Sequence, residues 1–244
     1  MICRVVLPQM AMLPTRLDLW LATALAGFLR LHPQFDLGVQ SAIQHNILGG
    51  FWFGAALFVC WIHAARNGQG EVQLRTLTIL IGSALAVLLA LLAGAVVSWP
   101  PPARFPGLAY LFPDYLQANP NTNCFPSQSA ALYGSIAAGV YSLHKASGWI
   151  LWLLVVICVS LPRMYVGGHY MTDVLVGLLL ALVGYASARR LLEARVTSKI
   201  EPFLGMRPRL QLLREFLVFV WILQVTVEFE DVVWIKHVVE SLIS

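Results

Sequence analysis

The sequence predicts an all-α fold, an integral membrane bundle of about six transmembrane helices with an N-terminal interfacial helix. Composition is the first observation, since 59% of the 244 residues are hydrophobic and 11% are charged, whereas soluble domains run at roughly 45–50% apolar and about 25% charged. The second is a succession of apolar runs near the roughly 20 residues that cross a bilayer. Lipid covers such side chains while each helix satisfies its own backbone hydrogen bonds. We therefore expect a single membrane domain over residues 1–244.

The N-terminal segment, residues 1–45, is expected to lie at the membrane interface. Pro14, Arg16 and Asp18 interrupt its apolar stretch, which is not typical of a cleavable signal peptide. We predict an interfacial helix around residues 17–31.

Six apolar runs follow as candidate transmembrane spans, and flanking residues extend the shorter ones to spanning length. They cover residues 46–65, 77–99, 129–143, 149–161, 174–188 and 212–229. The last span and its tail form the region 212–244, in which residues 232–244 suit a short amphipathic helix at the interface.

A long loop separates the second and third spans. Residues 100–123 are rich in Pro, Asn and Tyr and show turn formers without a sustained helical or strand period. Long loops without structure of their own are often lids or binding loops. We therefore expect substrate contacts in the outer loop formed by residues 100–127.

Positive charge marks one side of the bundle as cytoplasmic, because loops rich in Lys and Arg stay inside. Arg66 and Arg75 lie between spans one and two, Lys145 between spans three and four, and several arginines between spans five and six. The long loop and residues 163–173 fall on the opposite side. We assign that side to the periplasmic face of a bacterial inner membrane.

The basic residues also limit the classes of partner. The formal charge of +4 is spread between apolar runs rather than gathered in one block, so no nucleic-acid partner is expected. The four cysteines show no CxxC spacing, so neither a disulfide framework nor a zinc site is expected. Membrane lipids are the expected partners.

The chemistry is predicted in the segment 163–173, where Arg163, His169 and Asp173 are spaced by six and four residues. A carboxylate four residues after a histidine can hold one imidazole nitrogen and leave the other as nucleophile or base. An arginine can grip a phosphate with two hydrogen bonds. The simpler interpretation is that these residues balance charge at the membrane surface.

This spacing resembles the third signature of the type-2 phosphatidic acid phosphatase superfamily: Ser-Arg, five residues, His, three residues, Asp. Pro162 replaces the leading Ser. Residues 124–129 resemble the second signature, Pro-Ser-x-His, with Ser129 in the place of the histidine. Of the first signature, Lys followed six residues later by Arg-Pro, only Arg104 with a displaced Pro106 is present. The resemblance covers roughly residues 77–188.

The resemblance implies a mechanism without a metal or other cofactor, in which His169 attacks phosphorus to form a phosphohistidine and Asp173 orients it. The substrate would be a lipid phosphate or diphosphate. The phosphate-binding set would include the first amides of a helix N-terminus. Its members are Arg163, Arg104, Ser127, Gln128, Ser129 and Gly168.

Ser129 bears on the choice of substrate. In the family the histidine at that position protonates the leaving oxygen, and a general acid contributes roughly 10²- to 10⁴-fold. A lipid phosphate leaving a diphosphate needs less protonation than an alkoxide, which favours a polyprenyl diphosphate or a transfer between lipids over phosphatidate. Other candidate acids are explained more simply as interfacial or structural residues. They are His45, Tyr110, Asp114 and Tyr115.

Two other classes of function stay open. A catalytically impaired relative would bind a phospholipid head group or a protein partner through the same pocket, and the replaced histidine favours it. The retained Arg163, His169 and Asp173 argue against it, since a binding site has no special need for an oriented nucleophile. A transporter would carry ionisable groups within its spans, which are almost absent here.

Overall fold

The structure is a computed structural model that describes residues 10–11, 14–29, 31–44, 50–113, 123–195 and 208–226. These residues are mostly helical, as predicted. In chain order the helices are α1 (Arg16–Ala26), α2 (Pro33–Gln44), α3 (Gly50–Arg66), α4 (Gly70–Val96), α5 (Gln128–Leu143), α6 (Lys145–Leu154), α7 (Leu161–Tyr165), α8 (Met171–Arg195) and α9 (Pro208–Thr226). A π-helical turn, Val155–Ser160, joins α6 to α7.

Three helical segments of the described chain are long and apolar enough to cross a membrane. They are Gly70–Val96, Lys145–Tyr165 and Met171–Leu192. Two other predicted spans form shorter helices, α3 with 17 residues and α5 with 16, against the roughly 20 that a crossing needs. The helical character is therefore confirmed, and the count of six spans stays a prediction.

Helices α4, α5 and α8 pack against one another and form the centre of the molecule. Glycines allow the closest contacts between α4 and α8. A Cβ added at Gly82 would lie 2.9 Å from Tyr185 Cα, and one at Gly184 would lie 2.7 Å from the Ala86 amide nitrogen. Small residues at such crossings let helix backbones approach without a hydrophobic driving force from water.

The remaining helices surround this centre. Helix α6 packs on α5, and α3 packs on both α4 and α9. The indole of buried Trp61 in α3 donates a hydrogen bond to Glu215 of α9, and Arg214 donates to the same carboxylate at 2.6 Å. Arg214 also lies over the Trp61 ring, 5.9 Å from its centroid. This polar cluster ties the last helix to the bundle.

Several element boundaries differ from the predictions. Helix α4 begins at Gly70 rather than at residue 77, and the helical segment after Lys145 extends through α7, so Arg163 is helical rather than part of a loop. The predicted interfacial helix ends at Ala26, and a second N-terminal helix, α2, was not predicted.

The predicted long loop contains two short 3₁₀ turns, Pro102–Arg104 and Ala109–Leu111. A two-residue parallel pairing, β1 (Met10–Ala11) with β2 (Val97–Ser98), was also not predicted. Predictions for His45, Asp114, Tyr115 and residues 232–244 lie outside the described residues.

Candidate functional site

The backbone segments that carry the predicted site residues meet at one end of the α4, α5 and α8 core. The Ser127 amide at the start of α5 donates to the Asp173 carbonyl in the first turn of α8 at 3.1 Å. The Cys124 amide donates to the Trp99 carbonyl, just beyond α4, at 3.2 Å. The loop 166–170, which carries His169, lies between α7 and α8 at the same end. Three helix ends and one loop therefore form a single site.

His169 has the ring orientation that nucleophilic chemistry requires. Its Nδ1 lies 2.8 Å from the Cys124 carbonyl oxygen. A carbonyl only accepts, so Nδ1 carries the hydrogen, and in the neutral ring the lone pair belongs to Nε2. The His169 side chain is 18% exposed, which leaves an approach to the ring from solvent.

Asp173 holds the loop rather than the imidazole. Its carboxylate is fully buried and accepts from the Trp99 indole at 2.7 Å and from the Tyr170 amide at 2.8 Å. Its nearest oxygen lies 3.6 Å from His169 Nδ1, beyond hydrogen-bond distance. The predicted direct hydrogen bond is thus replaced by the Cys124 carbonyl, because the Asp173 oxygen on that side serves the Tyr170 amide at the start of α8. Asp173 therefore lies beside the His169 ring without a direct hydrogen bond to it.

Trp99 was missed in the sequence analysis. Its ring is 4% exposed and packs edge-on against Phe125 and Tyr170, with centroids 5.1 Å and 6.0 Å away. A buried Trp usually finds an acceptor for its N–H, and here that acceptor is Asp173. A Trp at the end of an apolar run that leads into the site was the available signal.

The start of α5 carries the second predicted group of phosphate ligands. Ser127 is the N-cap, and its hydroxyl oxygen accepts from the Ala130 amide at 3.4 Å. That bond uses the oxygen and not the hydroxyl hydrogen. Ser129 is buried and Gln128 is exposed in the first turn. This helix end presents amides and a favourable dipole to an anion.

Backbone hydrogen bonds tie the two predicted arginines to the His169 loop. The Gly168 amide donates to the Arg163 carbonyl at 2.9 Å, and the Ala103 amide, next to Arg104, donates to the Gly167 carbonyl at 3.0 Å. Gly167 has φ +72°, and a Cβ there would lie 2.5 Å from the Phe112 ring. Only glycine fits this turn, which brings the segments of both arginines next to His169.

Cys124 and Tyr170 are unsuited to act as nucleophiles. Burial, followed by the charge of Asp173, raises the pKa of the Cys124 thiol well above its usual range. Burial also raises the pKa of Tyr170, with further contributions from Cys124 and Asp173. Both groups are neutral near pH 7.

The N-terminal helices also reach the site, a contact that the sequence analysis missed. Asp18 of α1 accepts from the Thr172 amide at 2.9 Å and from the Thr172 hydroxyl at 2.7 Å. Burial acts to raise the pKa of Asp18, but hydrogen bonds from Thr172 and Thr15 outweigh it and lower the pKa below its ordinary value. Thr15 and Asp18 form a capping box, a pattern that marks a helix start but not its long-range partner.

Comparisons with known proteins bear on the region that holds the site. The sequence profile of the PAP2 superfamily matches residues 75–196. The bacitracin transport permease protein BcrC of Bacillus licheniformis is 41% identical over 66 residues, which is 27% of this chain and 30% of that protein. The chain thus aligns with less than a third of that relative. No solved structure matches the chain significantly.

Proposed function

Because the chain belongs to the PAP2 superfamily, we propose that it is a membrane lipid phosphatase or phosphotransferase that works through a phosphohistidine at His169. The observation that carries this proposal is the 2.8 Å contact of His169 Nδ1 with the Cys124 carbonyl oxygen. That contact leaves the Nε2 lone pair for attack on phosphorus. Arg104 and Arg163, on segments tied to the same loop, supply positive charge for the phosphoryl oxygens.

The proposed reaction has two steps. In the first, the Nε2–P bond forms as the bond from phosphorus to the leaving oxygen breaks, and the lipid product departs with that electron pair. The ring then carries a positive charge 3.6 Å from the Asp173 carboxylate, which stabilises it. In the second, a water or an acceptor-lipid hydroxyl attacks phosphorus as the Nε2–P bond breaks. The electron pair of that bond returns to Nε2, and the attacking oxygen loses its proton to solvent. Nδ1 keeps its hydrogen throughout and donates it in the hydrogen bond to the Cys124 carbonyl oxygen.

The favoured substrate is a polyprenyl diphosphate, in which the leaving group is itself a lipid phosphate. Ser129 stands where the family resemblance places the histidine acid, and its buried hydroxyl has a pKa too high to donate a proton efficiently. Loss of a general acid costs roughly 10²- to 10⁴-fold, and it costs least where the leaving group is already a stable anion. The same replacement favours the second candidate, a non-catalytic relative that binds a phospholipid head group or a protein partner.

The proposed setting is a bacterial inner membrane crossed by six helices, with the site at the periplasmic face. The support is the charge at the opposite end of the bundle. Arg66 ends α3, Arg75 lies in the first turns of α4, Lys145 begins α6 and Arg189 lies late in α8. These positions are at the helix ends distant from His169, as loops held on the cytoplasmic side would place them.

The test is phosphate release by the purified protein in detergent, with phosphatidate and a polyprenyl diphosphate as parallel substrates. We expect release from the diphosphate that His169→Ala abolishes. The matched control is His144→Ala, because His144 is exposed and caps α6 at the opposite end of the bundle. If the wild type releases no more phosphate than His169→Ala from either substrate, and transfers no more phosphate to an acceptor lipid, only the binding role would be left.

A further inference from the structure

Two buried carboxylates of the N-terminal helices hold the two ends of the His169 loop. Before the loop, the Tyr165 hydroxyl donates to Asp36 of α2 at 2.5 Å. After it, both the amide and the hydroxyl of Thr172 donate to Asp18 of α1. The two contacts join residues that are 129 and 154 positions apart in the chain. The loop is therefore anchored from outside the core helices.

Both carboxylates are buried, and the free-energy cost of removing them from water must be offset by hydrogen bonds. Asp18 is 1% exposed and Asp36 is 0% exposed. A carboxylate removed from water is costly unless donors surround it, and an amphipathic helix that only covers the bundle would expose its acidic groups. Asp18 accepts from four donors, two on Thr15 and two on Thr172. The two bonds from Thr172 join α1 to the start of α8 rather than forming within α1.

The loop has little intrinsic rigidity to fix His169. Backbone hydrogen bonds hold Gly167 and Gly168, but glycine as a residue type restricts the chain least, and one hydrogen bond to the Cys124 carbonyl orients the imidazole. Thr172 immediately precedes Asp173, so a shift of Thr172 moves the carboxylate beside the ring. Anchors at both ends restrict these movements.

The anchors are also separate from the region that the family profile covers. Thr172 and Tyr165 lie within the matched residues 75–196, whereas Asp18 and Asp36 precede them. The N-terminal helices therefore add contacts that the matched region alone does not provide.

We propose that Asp18 and Asp36 are positioning residues that act through Thr172 and Tyr165 to hold His169 and Asp173 in the reactive arrangement. This inference rests on the proposed function for its kinetic consequences. It assigns the N-terminal helices a part in catalysis beyond their contact with the membrane interface.

The kinetic test compares two isosteric changes, Thr172→Val and Thr78→Val. Both remove a hydroxyl that donates a hydrogen bond, but Thr78 is buried in α4 and its hydroxyl bonds within that helix, to the Leu74 carbonyl at 2.9 Å. We expect Thr172→Val to lower kcat about 10-fold or more with KM within about twofold, since a misplacement of roughly 1 Å costs on the order of 10²-fold. Thr78→Val should retain the wild-type kcat.

A second set of variants separates positioning from folding. Thr172→Ser keeps the donor to Asp18 and should recover most of the lost kcat, while Tyr165→Phe, which removes the donor to Asp36, should lower kcat in the same way as Thr172→Val. Equal kcat values for Thr172→Val and Thr78→Val, or no recovery in Thr172→Ser, would overturn the proposal.

The rate of chemical modification of His169 tests the proposal without measuring enzymatic turnover. Diethyl pyrocarbonate acylates unprotonated imidazole nitrogen, and mass spectrometry of the peptide with His169 gives its rate. We expect Thr172→Val and Asp18→Ala to change this rate at least threefold, with Thr78→Val at the wild-type rate. If the wild type releases no phosphate but these rates differ, the proposed function fails and the anchor stands. If the rates are equal, the anchor fails.

Discussion

The geometry of the site depends on the groups that donate hydrogen bonds to the buried carboxylate of Asp173. Its two oxygens accept from the Trp99 indole and the Tyr170 amide, so it fixes the loop and the end of α4 at once. A buried carboxylate with two donors is stabilised by those bonds, and its charge remains 3.6 Å from the His169 ring. A backbone carbonyl is left to select the tautomer, a role that depends on no side chain at position 124.

Residue types and spacing were enough to predict which segment brings His169 and Asp173 together, and the catalytic roles of these residues stay predictions. The intervals between Arg163, His169 and Asp173 identified the segment, and the structure places His169 and Asp173 side by side with Ser127. The Cys124 carbonyl could not be predicted, since every residue has such a group and only the fold selects one. The same holds for Trp99, whose partner lies 74 residues away.

Asp18 gives the residue-scale prediction, a dependence of stability on pH. Its pKa is lowered on folding, so its stabilising contribution is present above the ordinary Asp pKa of about 3.9 and is lost as pH falls through the lower pKa of the folded protein. We expect Asp18→Asn to lower the melting temperature in detergent by a constant amount above pH 5. The difference should narrow below pH 4.

The control for this pH series is Glu71→Gln. The Glu71 side chain is 74% exposed and pairs with Arg75 on the surface of α4, where ion pairs contribute little. Its melting temperature should follow the wild type over the whole range. A difference between wild type and Asp18→Asn that grows with acidity would show that the Asp18 charge is not stabilising.

At the scale of elements, the approach of α8 to the start of α5 sets the geometry of the proposed phosphate site. A Cβ added at Gly177 would lie 2.5 Å from the Ser127 carbonyl oxygen and 3.0 Å from Ala130 Cβ. The nearer contact is with backbone, so no side-chain rotation can relieve it. The start of α5 can therefore lie this close to α8 only because position 177 has no side chain.

We expect Gly177→Ala to lower both stability and activity. Overpacking of this kind costs roughly 1–3 kcal/mol, and displacement of α5 moves the Ser127 cap away from Asp173. Thermal unfolding and phosphate release in detergent measure the two effects.

The matched control is Gly38→Ala in α2, where an added Cβ has no neighbour within 4 Å. That change should leave activity intact and raise stability by about 0.5–1 kcal/mol, because alanine favours a helix over glycine. Equal activity in both variants would mean that the α5–α8 approach does not set the site geometry.

Helix interiors were predicted more accurately than helix ends. The fourth apolar run was predicted over residues 149–161, with flanking residues extending it to spanning length. In the structure a π-helical turn, Val155–Ser160, precedes Pro162 in the first turn of α7, so the regular hydrogen-bond pattern is already interrupted where proline has no N–H to donate. The helix therefore continues to Tyr165 and places Arg163 on a helical turn.

On the scale of the whole molecule, the two ends of the bundle differ in chemistry. The His169 site lies at one end, and the other end carries Arg75 and Arg189 beside a cleft of about 170 Å³ between α4, α5 and α8. Hydropathy predicted the helices, and charge predicted which helix ends share a side. Neither hydropathy nor charge could predict the packing of α1 and α2 against the site, because it depends on buried hydrogen bonds between distant residues.

The orientation of this bundle in the membrane gives the last prediction. Tyr110, in the loop at the His169 end, is 72% exposed, and Ala146, at the junction of α5 and α6, is exposed at the opposite end. We expect a membrane-impermeant thiol reagent to label Tyr110→Cys in intact cells and Ala146→Cys only after the membrane is opened. Labelling of the wild-type chain gives the background from its native cysteines, of which Cys124 is buried. Labelling of Ala146→Cys alone in intact cells would put His169 on the cytoplasmic side, and a lipid diphosphate presented at the outer leaflet would then be out of its reach.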